Sequence, residues 1–136
     1  KMMYEIQLAF ERIEEVSPSR AGESDSFEGF RFCVSQQFDA CFDFNFPSRP
    51  LLLFIRDCIK QQENSVELVL PDYDEFEDFI NGHITVGDRV IAVYFEHSLA
   101  CLSFASDKRE ELETLIAVTT GQSFQHVGYG LKDGQL

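Results

Sequence analysis

The densest run of chemistry-bearing side chains lies between Lys60 and Arg89. It holds eight acids (Glu63, Glu67, Asp72, Asp74, Glu75, Glu77, Asp78 and Asp88) and no Lys or Arg. Five of them fall in Asp72–Asp78. Carboxylates at this density can bind a hard cation, share acid–base work, or present a negative face to a cationic partner. Asp72-Tyr73-Asp74 begins as a calcium loop begins, but no glycine stands at the sixth position and the run turns apolar at Phe76. Paired-carboxylate chemistry needs two acids at a defined separation, and acids this crowded match any spacing by chance. Acids also favour a helix N-terminus, which accounts for Asp72, Asp74 and Glu75, and the rest can form a solvated face. That reading leaves the missing cations unexplained, because a face without i,i+4 partners repels itself. A docking face for a basic partner explains them, since complementary charge speeds association roughly 10–10³-fold at low salt.

The other reactive residues are dispersed. His83, His97 and His126 lack the spacing of a zinc site, so no metal is expected. His97 sits between Glu96 and Ser98 at the tip of an expected hairpin. Neighbours in a turn do not face one another, and a working triad converges from separate segments. His97 is therefore expected as a polar tip residue and a contact position, not a catalytic base. The four cysteines, Cys33, Cys41, Cys58 and Cys101, each lie inside an apolar run and none form C-x-x-C. They are expected as buried free thiols, which places the protein in a reducing cytoplasm. No phosphate-binding glycine loop, dinucleotide fingerprint or cysteine-nucleophile signature is present, so neither a cofactor nor a catalytic residue is expected.

The bulk properties narrow the partner. The net charge is −13 and the pI about 4.4. Nucleic-acid and anionic-membrane binding need the opposite sign. No apolar run approaches the ~20 residues of a membrane span, and Lys1-Met2-Met3 leads into Tyr4-Glu5 without the apolar core of a signal peptide. With 136 residues, 44% of them hydrophobic, the chain reads as one domain, residues 1–136. Fourteen of its aromatics are Phe, a side chain that fills dry cores without a polar partner.

These residues must be positioned by local structure. Val90–Phe95 and Leu99–Ala105 read as hairpin strands, apolar on both alternating sets and so covered on two sides. Asp107 and Glu110 have capping-box spacing, Leu112, Leu115 and Ile116 form a helix face, and Gly121 stops the helix. Upstream, Met3–Ile13, Phe27–Ser35 and Phe38–Phe46 read as strands, the first with a helix as the alternative because Ile6, Phe10 and Ile13 also fit a helical stripe, and the last with Asp39 and Asp43 on its outer face. Pro47-Ser48-Arg49-Pro50 opens a helix over Leu51–Gln62 with Leu52, Ile55 and Ile59 inward. Ser65–Leu70 is a short strand. Asp72–Asn81 reads as a second helix, with Asp72 and Glu75 as its capping box and Phe76, Phe79 and Ile80 on its buried face. Gly87-Asp88 turns a hairpin between Ile84–Val86 and Arg89–Phe95, and Ser123–Tyr129 adds an edge strand. Ser17–Ser26 is a polar loop, expected to be flexible, and 130–136 a frayed tail. The expected fold is α+β: a twisted antiparallel sheet of five to seven strands with about three helices packed on it.

The stretch INGHITVGDRVIAVYFEHSLACLSFASDKREELETL, from Ile80, resembles the core of bacterial immunity proteins of contact-dependent inhibition and other polymorphic toxin systems. The shared features are a short strand, a glycine turn, a hairpin carrying Tyr94, Phe95, Glu96, Ser98 and Leu99, and Ser106-Asp107 opening a helix. The resemblance implies a small acidic cytoplasmic protein that binds the C-terminal domain of a toxin, commonly a basic nuclease, and blocks it without catalysis. It carries over no functional residues. Charge then nominates Asp72, Asp74, Glu75, Glu77 and Asp78 as the partner-binding face, with Tyr73 as an anchor, and Asp39, Asp43 and His97 as further contacts. The alternatives are a small α+β enzyme or ligand-binding domain with a Phe-lined pocket, and an adaptor whose charge serves only solubility.

Overall fold

The computed structural model describes residues 2–7, 9–16, 29–34, 48–96 and 101–128, with the backbone alone for 2–7 and 125–128. The elements run β1 (Met2–Gln7), β2 (Glu14–Val16), β3 (Gly29–Cys33), α1 (Ser48–Lys60), β4 (Val66–Val69), β5 (Phe79–Val86), β6 (Arg89–Glu96), β7 (Cys101–Ser106), α2 (Arg109–Thr119) and β8 (Ser123–Gly128). Six strands make one antiparallel sheet in the order β2-β3-β7-β6-β5-β4, and β1 pairs with β8 in a separate two-stranded sheet. The α+β architecture is the one its hydrophobic patterning predicts, with two helices among the described residues.

Both helices contribute to a core with one face of the larger sheet. Leu51, Leu52, Ile55 and Ile59 of α1 and Leu112 and Leu115 of α2 share that core with Phe32, Ile80, Ile84, Ile91, Val93, Phe95, Leu102 and Phe104. Phe32 stacks on Phe104 at 5.4 Å and takes Phe10 edge-on at 5.3 Å, which ties three segments together. Pro50 is tolerated in α1 because first-turn N–H groups have no intrahelical acceptor. Phe54 of α1 meets Phe124 at 5.3 Å and thereby docks the small sheet.

The first hairpin strand differs from the sequence expectation, whereas β7 buries Leu102 and Phe104 on one face and Ser103 on the other. Only one face of β6 is buried: Ile91, Val93 and Phe95 point into the core, whereas Val90 is 53% exposed. Apolar residues on both faces thus do not imply two covering layers here. The strand expected over Met3–Ile13 ends at Gln7 as β1; beyond it Phe10 makes an isolated bridge to Val34, and β2 begins only at Glu14. The capping box at Asp107 is not formed. β7 runs through Ser106, α2 starts only at Arg109, and the Ser106 hydroxyl accepts the Lys108 N–H at 3.1 Å. Gly121 follows α2 at φ 82°, the left-handed conformation a helix exit favours. The expected strand Phe38–Phe46, the loop 17–26 and the tail 130–136 lie outside the described residues.

Asp72–Asn81 is not a helix. Residues 70–78 form a loop, and β5 begins at Phe79. Its acids explain the outcome. As a helix it would set Asp74 beside Asp78 at i,i+4, and Asp72 beside Glu75 and Glu75 beside Asp78 at i,i+3, with no cation to offset them. The Asp74 carboxylate instead accepts the Phe76 N–H at 2.9 Å in a local turn. From Ile80 onward, Ile80, Ile84 and Val86 are spaced for a strand and pack inward, paired across to β6. Gly82 is required where β5 passes the end of β4: a Cβ there would lie 2.4 Å from the Val69 carbonyl oxygen.

Candidate functional site

The loop between β4 and β5 brings together most of the residues nominated from sequence. Its placement depends on Arg49, at the N-terminus of α1. Arg49 Nε and Nη2 donate to the two carboxylate oxygens of Glu77 at 3.1 and 2.9 Å, and Nη2 also donates to the Pro71 carbonyl at 2.9 Å. Its guanidinium lies 5.6 Å from the centroid of the Tyr73 ring. One side chain thereby holds three points of the loop. The hydrogen bond that the Arg49 guanidinium donates to Glu77 holds its pKa above the ordinary range.

Glu77 is therefore spoken for. It is half-buried and ion-paired, and it anchors the loop from behind instead of facing a partner. Glu63 is likewise engaged, 3.4 Å from Arg89, which also reaches the buried Glu111 at 3.3 Å and the Val86 carbonyl at 3.2 Å. These two contacts correct the expectation that the acidic tract has no cations: they arrive from outside it in sequence. Glu67, Asp72, Asp74, Glu75, Asp78 and Asp88 remain exposed, without an ion pair among the described residues.

The aromatic residues of the loop are the larger surprise. Helical spacing assigned Phe76 and Phe79 to a buried face. In the structure Phe76 is 80% exposed, Tyr73 70% and Phe79 54%, whereas Ile80 is fully buried. Phe79 stacks beside Tyr94 at 6.1 Å on the open face of the sheet, and the Tyr94 hydroxyl donates to Glu96 at 3.0 Å. That hydrogen bond pushes the Tyr94 phenol above its ordinary value. A large apolar side chain that faces water from among acids is a feature of interaction surfaces, where burying it on a partner yields about 1.5–3 kcal/mol.

The sequence reading missed Arg49 and gave Phe76 and Phe79 the wrong environment. Only the isolated cation in Pro47-Ser48-Arg49-Pro50 hinted at a tether. Asp39, Asp43 and His97 lie outside the described residues. Cys58 is buried and free, and Cys33 and Cys101 are half-buried and free. Burial, reinforced by Cys101 and Glu11, pushes the Cys33 thiol up to about 11. Among the described residues no group of three His, Cys, Asp or Glu side chains could hold a metal ion, and no helix is long and apolar enough to cross a membrane. No match to the chain is found among protein-family models, curated proteins or solved structures.

Proposed function

We propose that this protein is a stoichiometric inhibitor of the immunity type, which binds a basic toxin domain, such as a nuclease, through the β4–β5 loop. The supporting observation is the loop itself: Tyr73, Phe76 and Phe79 stand exposed among Asp72, Asp74, Glu75 and Asp78, on a segment that Arg49 fixes to α1. The acids steer a cationic partner into place, and the aromatics supply contact area that leaves water on docking. Pre-fixing the loop lowers the ordering cost of binding. Inhibition follows from occupancy, with no covalent step. The free thiols Cys33, Cys58 and Cys101 fit a reducing cytoplasm.

The test is co-expression. The C-terminal domain encoded beside this gene is produced in cells with and without the protein, and a tag on one is used to recover the other. The reading predicts a domain that is toxic alone, harmless in company, and recovered in a complex that weakens with salt. A toxic domain that is neither relieved nor bound contradicts it.

A further inference from the structure

Among the described residues the larger sheet ends at β4, whose one neighbour there is β5. The register pairs Val66 with Val86, Glu67 with Thr85, Leu68 with Ile84 and Val69 with His83, and the Gly87 N–H reaches the Ser65 carbonyl at 2.8 Å. Hydrogen-bonded pairs alternate along an antiparallel ladder. Ser65, Glu67 and Val69 therefore direct their backbone groups to β5, and Val66 and Leu68 direct theirs away from it. No described residue takes up those outward N–H and C=O groups. Such an edge is a template for another strand unless something blocks it.

We infer that a basic extended segment of the partner adds to the sheet along β4, pairing with the outward backbone groups of Val66 and Leu68. This deepens the docking reading above and rests on it. Charge selects the occupant. Glu67 is exposed on β4, Asp72 lies just beyond its end and Asp88 in the neighbouring β5–β6 turn, and residues 61–88 contain no Lys or Arg. An added strand places a side chain about 5 Å from Glu67, the spacing at which an opposite charge is favoured and a like charge is not. A second copy of this chain fails that condition. The one two-fold register that uses all four outward groups sets Glu67 against its own copy, and each copy carries a net charge of −13. The strand leads into the loop that displays Tyr73, Phe76 and Phe79, so one partner can engage the edge and the aromatics together.

Hydrogen exchange on the intact protein, free and bound to the domain encoded beside its gene, tests the inference. In the free protein the Val66 and Leu68 amides exchange rapidly, and in the complex they slow on the order of 100-fold or more. A Val66→Pro variant removes one outward donor at the first strand position, where the β4–β5 ladder does not use it. It should keep its melting temperature within a few degrees and lose roughly threefold to tenfold in affinity. A complex in which both amides stay fast overturns strand addition and leaves the docking reading standing. A free protein that is dimeric, with those amides already protected, overturns it in favour of self-pairing. Absence of any complex removes the docking reading and this inference together.

Discussion

The Arg49–Glu77 pair permits a quantitative test of how the loop is held. Exposed ion pairs couple by about 0.2–1 kcal/mol, whereas breaking a fully buried one costs about 3–5 kcal/mol. This pair lies between those limits, with side-chain exposures of 23% and 12% and two hydrogen bonds at 3.1 and 2.9 Å. A coupling of about 1–2 kcal/mol follows, allowing for the partial exposure of the guanidinium. Glu77→Gln keeps the shape and removes the charge, and should cost about 1–2 kcal/mol. Arg49→Ala also releases the Pro71 carbonyl and the Tyr73 ring, and should cost about 2–3 kcal/mol. The double variant should cost little more than Arg49→Ala alone, since the second change has nothing left to break. For a chain of this size each kcal/mol moves the melting temperature by about 4 °C. Urea and thermal melts of the four proteins, followed by circular dichroism, give the cycle. Costs that add within about 0.3 kcal/mol would refute the clamp, and with it the argument that α1 presents the loop ready for binding.

Three further outcomes are expected. Gly82→Ala drives a methyl group to 2.4 Å from the Val69 carbonyl, so it should part β4 from β5 and lower stability by at least about 2 kcal/mol in a urea melt. Phe76→Ala removes a ring that is 80% exposed; stability should change by less than about 0.5 kcal/mol, while affinity for the partner domain falls tenfold or more by calorimetry. The Cys33 thiol ionises near 9.0 when unfolded and at about 11 when folded. The unfolded chain therefore releases this proton first. The contribution of the neutral thiol is complete below pH 9 and fades as pH rises toward 11, so urea midpoints should fall over that window and fall less in Cys33→Ala.

The sequence was most legible where a single physical signal decided the structure. Gly87-Asp88 made the β5–β6 turn, and the stripe of Leu52, Ile55 and Ile59 made α1. It was least legible at Asp72–Phe79, where capping-box spacing and an i,i+3 aromatic pair favoured a helix. Repulsion among five acids and a cation 28 positions distant in sequence favoured a loop. Local periodicity has no knowledge of Arg49, so it also misread Phe76 and Phe79 as core. The acidic face itself was visible in composition, but which of its members face water was not: Glu63 and Glu77 are engaged by arginines from other elements. The position of β4 at the edge of the described sheet could not be read at all, because strand order is a property of the whole sheet.

The most direct test of the central claim is the association rate with the partner domain, measured by stopped flow as a function of salt. The comparison is between the native protein and a variant carrying Asp72→Asn, Asp74→Asn, Glu75→Gln and Asp78→Asn. If these acids steer the encounter, the native rate falls steeply as the Debye length shrinks from about 30 Å at 0.01 M salt to about 10 Å at 0.1 M. The variant should then bind at least about tenfold more slowly at low salt, with a shallower slope, and converge on the native rate at high salt. Equal rates and equal slopes for the two proteins would show that the loop is not the docking face.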